Sequence, residues 1–137
     1  MTEILHHVHL FASNLENSIR FYQTMFGARV IFDTEMAGAR NVMIAIGSGK
    51  INFYDQPPAD ETRGLMHHLG IETDDLEELV RHMEQNGFHF EKPIRDLGAW
   101  KYVMAEGPDH VLLELFQITS EAVNRGAFEG FSSLKKG

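Results

Sequence analysis

The feature that most constrains the fold is that one half of the chain reads like the other. A strand-like run that opens on a histidine, a polar capping segment, an amphipathic stretch and a glycine follow one another from His7 to Gly27. The same succession returns, at nearly the same length, from His68 to Gly87. In the first copy Ser13 or Asn14 can cap a helix over 13–27, Leu15, Ile19, Tyr22 and Phe26 recur at helical spacing, and Gly27 can end it. In the second, "DDLEELVRHMEQNG" (74–87) spells a capped amphipathic helix stopping at Gly87, and its acidic start suits a helix N-terminus.

Strand-like stretches follow each helix. They are 28–36, 39–47 and 50–55 in the first copy, the last two joined by a tight "GSG" turn, and "GFHFEKPI", "AWKYVMAE" and "HVLLELFQ" in the second. With a leading strand at 5–11 and another at 65–72, this order is two copies of a βαβββ unit. The expectation is one domain over 1–137, with module 1 at about 4–55, a polar, proline-containing linker at 56–64, module 2 at about 65–117 and a tail at 118–137. Phe128, Phe131 and Leu134 in that tail can pack on the domain or on a partner subunit.

The leading run "LHHVHLF" (5–11) is expected to be a buried strand, yet it carries three histidines. Alternation puts His7 and His9 on one face and His6, with Val8 and Leu10, on the other. Superposing the copies sets His68 opposite His7 and Glu114 opposite Asn52. Two histidines on equivalent strands and one carboxylate make a candidate facial metal set that leaves positions open for water, oxygen or substrate. The chain has no cysteine, so any metal here takes nitrogen and oxygen ligands; iron, manganese, nickel, cobalt and zinc all suit. Glu114, flanked by Leu113 and Leu115, needs a partner to offset its desolvation.

Composition narrows the partners. At 137 residues and 43% hydrophobic, the chain can bury a real core. A formal net charge of -8 disfavours a nucleic-acid partner, whose phosphates demand clustered Lys and Arg. No run approaches the roughly 20 apolar residues that span a bilayer, and the N-terminus lacks a signal-peptide pattern, so a soluble, cytoplasmic protein without a membrane partner is expected.

Three stretches, "HHVHLFASNLENSIRFYQTMFG", "MHHLGIETDDLEEL" and "GPDHVLLELF", resemble the vicinal oxygen chelate superfamily of glyoxalases, bleomycin resistance proteins and extradiol dioxygenases, over roughly residues 4–117. The resemblance implies an α+β fold in which two βαβββ modules form a cupped, barrel-like mixed sheet with helices outside and a divalent metal inside. It implies His7, His68 and Glu114 as metal ligands, and Asn52 where some members place a fourth. His9 would orient a ligand or carry a proton, and Glu114, transiently released, can also serve as base. Met43, Tyr54, Trp100 and Phe116 would line the substrate pocket, with Arg40, Arg95 and Lys101 near its rim. By the same analogy the chain is a homodimer acting on a small molecule.

The reaction expected is that of a glyoxalase-like lyase or isomerase, in which metal-bound substrate oxygens stabilise the charge left by proton abstraction. An iron(II) ring-cleaving dioxygenase and a metal-free, drug-sequestering protein are the alternatives. Against the dioxygenase, Met104 and His110 stand where that pattern has tyrosine and glycine, and no histidine occurs at 95–97. Against a fosfomycin transferase, His9 replaces a threonine usual beside the metal.

Overall fold

The computed structural model describes residues 4–36, 38–60 and 66–119. Its elements, in order, are β1 (Val8–Phe11), α1 (Leu15–Phe26), β2 (Arg29–Met36), β3 (Ala39–Ile46), β4 (Gly49–Tyr54), β5 (Leu69–Glu72), α2 (Leu76–Gln85), β6 (Arg95–Asp96), β7 (Trp100–Glu106) and β8 (Leu112–Ile118). A single helical turn, Pro108–His110, precedes β8. The architecture is α+β: two βαβββ modules, each a four-stranded mixed sheet with one helix. The described residues form two compact units, one of residues 4–60 with 107–110, the other of 66–106 with 111–119.

In the first unit the sheet order is β1-β4-β3-β2. β1 lies parallel to β4, and the other neighbours are antiparallel. The central strands β3 and β4 bury Val42, Ile44, Ile51 and Phe53 on one face. Onto these α1 turns Leu15, Ile19, Tyr22 and Met25, with the Tyr22 and Phe53 rings 5.7 Å apart. Burying each such side chain is worth about 1.5–3 kcal/mol, which is what holds helix to sheet. Asn14 caps the helix, its Oδ1 accepting from the Asn17 amide at 3.1 Å, a bond worth about 1 kcal/mol. Gly27, in the left-handed region at φ 66°, closes it by donating its amide to Gln23 O. The Pro108–His110 turn docks here too, Asp109 accepting from both the amide and the hydroxyl of Ser13. Asp109 sits at φ 60°, a conformation aspartate tolerates better than most residues.

The second unit repeats the plan with order β5-β8-β7-β6, β5 parallel to β8. Val103, Ala105, Leu113 and Leu115 form the buried face with Leu76 and Met83 of α2. Asp75 caps α2, accepting from the Glu78 amide at 3.1 Å, and Asn86 rather than Gly87 is its C-cap.

Two strand expectations are corrected. β1 is only four residues long and lies at a sheet edge, so "LHHVHLF" is largely exposed, Leu5 by 89%. The stretch "GFHFEKPI" is not a strand. Pro93 has no N–H to give a ladder, and pairing begins only beyond it, with Arg95 opposite Tyr102. Most of the tail and part of the linker lie outside the described residues.

Candidate metal and substrate site

Register decides which side chains share a face. In the first unit His9 pairs with Asn52, and Asn52 with Met43; Phe11 pairs with Tyr54, and Tyr54 with Asn41. His9, Met43, Asn52 and Tyr54 therefore share one face, opposite the face that meets α1. His7 stands one residue before β1, its ring 6.3 Å from that of His9. The His9 ring lies over Tyr54 at 3.9 Å, and Tyr54 in turn stacks with Phe11 at 6.0 Å.

Beneath these rings lies a buried amide chain. Asn41 Nδ2 donates to the Ala39 carbonyl at 3.1 Å, which turns Asn41 Oδ1 toward Asn52, whose Nδ2 donates to it at 3.1 Å. The backbone anchor sets the sense of both amides. As a result Asn52 Oδ1, in a side chain only 5% exposed, is left buried without a hydrogen-bond partner. An unsatisfied buried carbonyl costs about 1–3 kcal/mol. Asn52 Nδ2 also comes within 3.5 Å of His9 Nε2. Although His9 is exposed overall, cover on one side and then the neighbouring His7 hold its imidazole below the usual histidine range.

In the second unit Gly70 pairs with Glu114, Glu114 with Met104, and Phe116 with Tyr102; Trp100 pairs with Ile118. Glu114, Phe116 and Trp100 share one face, the Trp100 and Phe116 rings 6.1 Å apart. His68 stands immediately before β5, two residues ahead of Gly70. The two registers match: His7 precedes by two the partner of Asn52, and His68 precedes by two the partner of Glu114. Glu114 is half-buried between the core residues Leu113 and Leu115.

Among the described residues no three His, Asp or Glu side chains gather to hold a metal ion. His7 belongs to one unit, and His68 and Glu114 to the other. Two of the three basic rim residues are engaged in ion pairs: Arg40 with Asp33 (2.8 Å) and Glu16 (2.7 Å), and Lys101 with Glu77 (2.6 Å). Arg95 is exposed on β6. Asn41 is missing from the sequence-based set, and its signal was a lone amide in the apolar strand "ARNVMIAI". His6 and His67 are exposed, and each turns its ring back onto the following histidine.

Residues 4–115 match the glyoxalase/bleomycin resistance protein/dioxygenase superfamily. The chain belongs to this superfamily. No curated protein matches it. Among solved structures it is similar to a glyoxalase family protein from Enterococcus faecalis (24% identity, 83% of this chain and 97% of that one, TM-score 0.69). It is similar also to a mutant of FosX, the fosfomycin resistance protein of Listeria monocytogenes, complexed with Mn(II) and 1S,2S-dihydroxypropylphosphonic acid (19%, 91% and 100%, TM-score 0.72). A third is TnmS3, an antibiotic binding protein from a Streptomyces species (18%, 86% and 98%, TM-score 0.73). At such identities the likeness shows the shared fold, and the superfamily holds both enzymes and binding proteins. No helix among the described residues is long and apolar enough to cross a membrane.

Proposed function

We propose that this superfamily member is a divalent-metal-dependent lyase or isomerase that removes a proton from a small oxygenated substrate. The observation that carries the reading is the matched register, which gives His7 with Asn52 and His68 with Glu114 equivalent places in the two sheets. The donors fit a borderline divalent ion: two imidazoles, a carboxylate, and an amide oxygen buried without a partner. His7, His68 and Glu114 would hold iron, manganese, nickel, cobalt or zinc, with Asn52 Oδ1 as a fourth ligand. When bound, such an ion supplies Lewis acidity for the negative charge that develops on substrate oxygen.

The chain's own groups do the rest. His9, its imidazole held below the usual histidine range by cover on one side and by His7, accepts the substrate proton at Nε2, the nitrogen beside Asn52 Nδ2. The Tyr54 ring lies against the His9 ring at 3.9 Å and a 32° tilt, which restricts where that nitrogen can reach. Within the first sheet Met43 and Tyr54, on the face that carries His9, offer a substrate an apolar and an aromatic surface, and within the second Trp100 and Phe116 do the same on the face that carries Glu114.

A second reading, a metal-free small-molecule-binding protein, draws support from the stacked His9, Tyr54 and Phe11 rings, a platform for a flat ligand, and from the likeness to TnmS3. Metal content separates the two. Protein purified without chelator should carry about one transition metal ion per chain, lost in His68→Ala. Absence of metal in both, even after reconstitution, would move the assignment to the binding protein, and oxygen uptake by an iron-loaded sample would move it to a dioxygenase.

A further inference from the structure

The His-His pairs are built alike in both modules. His6 Nδ1 lies 2.9 Å from His7 Nδ1, and His67 Nδ1 lies 2.8 Å from His68 Nδ1. The rings meet nearly at right angles in each case, 88° with centroids 5.2 Å apart and 81° with centroids 5.0 Å apart. The flanking residues differ, Leu5 and Val8 around one pair and Met66 and Leu69 around the other. Adjacent side chains of an extended chain point to opposite faces, so these contacts need each ring to turn back toward its neighbour. The same departure from alternation occurs twice, each time just before the first strand of a module.

Two imidazole nitrogens at such distances must share a proton, one donating N–H and the other accepting with its lone pair. From this we infer that His6 and His67 are positioning residues for His7 and His68. Each accepts at its own Nδ1 the Nδ1–H of the following histidine. That bond fixes the tautomer in which Nε2 of His7 and of His68 carries the free lone pair, and it fixes the ring angle. An imidazole prepared in this way is ready to ligate a divalent cation through Nε2, because the other nitrogen already has its partner. This inference rests on the metal-dependent reading only for its consequence; the hydrogen bond and tautomer belong to the metal-free protein. It also accounts for the doubled histidine, since a single one in each module would supply the donor but not the partner that orients it.

The test has two readouts on the full chain. First, ring-nitrogen NMR on ¹⁵N-labelled, metal-free protein should show His7 and His68 as Nδ1–H tautomers, and His6→Ala and His67→Ala should each release the following histidine to a mixture. Second, Mn(II) and Zn(II) titrations should show binding weakened roughly 10–100-fold in each variant. His6→Gln, which keeps an acceptor, should recover most of the loss, and the thermal midpoint should not move, which separates positioning from a structural role. Nε2–H tautomers for His7 and His68 in the wild type would overturn the inference, as would unchanged tautomers and metal affinity in the alanine variants. Wild-type protein with the expected tautomers but no uptake of either metal would overturn the metal reading while leaving the hydrogen-bonded pairs supported.

Discussion

The two modules share a plan and differ at three corresponding places. Where the first sheet has His9 opposite Asn52, the second has Gly70 opposite Glu114. Where the first has an outer strand of eight residues, the second has one of two. Where the first buries an amide chain, the second half-buries a carboxylate. The short outer strand leaves room: a cavity of about 510 Å³ opens beside β7, lined by Phe88, His89, Lys92, Met104 and Leu112 among others. What stays the same is the buried face against the helix and the placement of one histidine and one oxygen donor on the other face. The helix-facing core sustains the repeat, and the opposite face is free to diverge toward chemistry.

That contrast can be broken first at the core. Ile44→Ala in the first module and Leu115→Ala in the second each remove a wholly buried side chain, and each should cost about 2–5 kcal/mol in urea unfolding. A loss below about 1 kcal/mol for Leu115→Ala alone would show that the second sheet, with its short outer strand, relaxes around the cavity.

The oxygen donors come next. In Mn(II) titrations Glu114→Ala should weaken binding on the order of 100-fold and Asn52→Ala about tenfold, because an ionised carboxylate binds a cation more strongly than a neutral amide oxygen. Equal losses would mean that Asn52 is a full ligand, and no loss for Asn52→Ala would remove it from the set.

The smallest effect concerns pH. The Arg40 hydrogen bond holds the Asp33 carboxyl below its usual range, and the Lys101 hydrogen bond does the same for Glu77. A lowered folded-state pKa contributes stability that is present above the unfolded carboxylate value of about 4 and is lost as pH falls through the folded value. Melting curves taken downward from about pH 6 should therefore lose less stability in Asp33→Asn and Glu77→Gln than in wild type. The flattening should be larger for Asp33, whose arginine also bonds Glu16, and smaller at high salt for both. A flattening that salt does not touch would mean that these exposed pairs are not the source.

Much of the local structure was legible in the chain. Asn14 and Asp75 cap the helices where an amide or carboxylate precedes an amphipathic run, and Gly27 ends the first at a positive φ that glycine accepts without strain. The strands at 39–47 and 50–55 were readable as apolar runs around a glycine turn. "GFHFEKPI" misled because its apolar content outvotes Pro93 in a pattern count, although one missing N–H is enough to deny a ladder. "LHHVHLF" misled because apolar spacing cannot tell a central strand from an edge strand.

The sequence by itself determined the repeat, the two helices, the glycine that ends the first, and the alternation that groups His7 with His9. Those depend on neighbours along the chain and on spacings of two and of about 3.6 residues. Only the tertiary structure decided that Asn52 lies beside His9 and Glu114 beside Gly70, since β1 and β4, like β5 and β8, meet only when the sheet is assembled. It alone decided that Ala39 orients Asn41 and Asn41 orients Asn52, leaving one amide oxygen unspent, and that His6 and His67 turn back onto their neighbours. Hydrogen bonds depend on angle and distance to within a few tenths of an ångström, and residue order alone does not specify positions that finely.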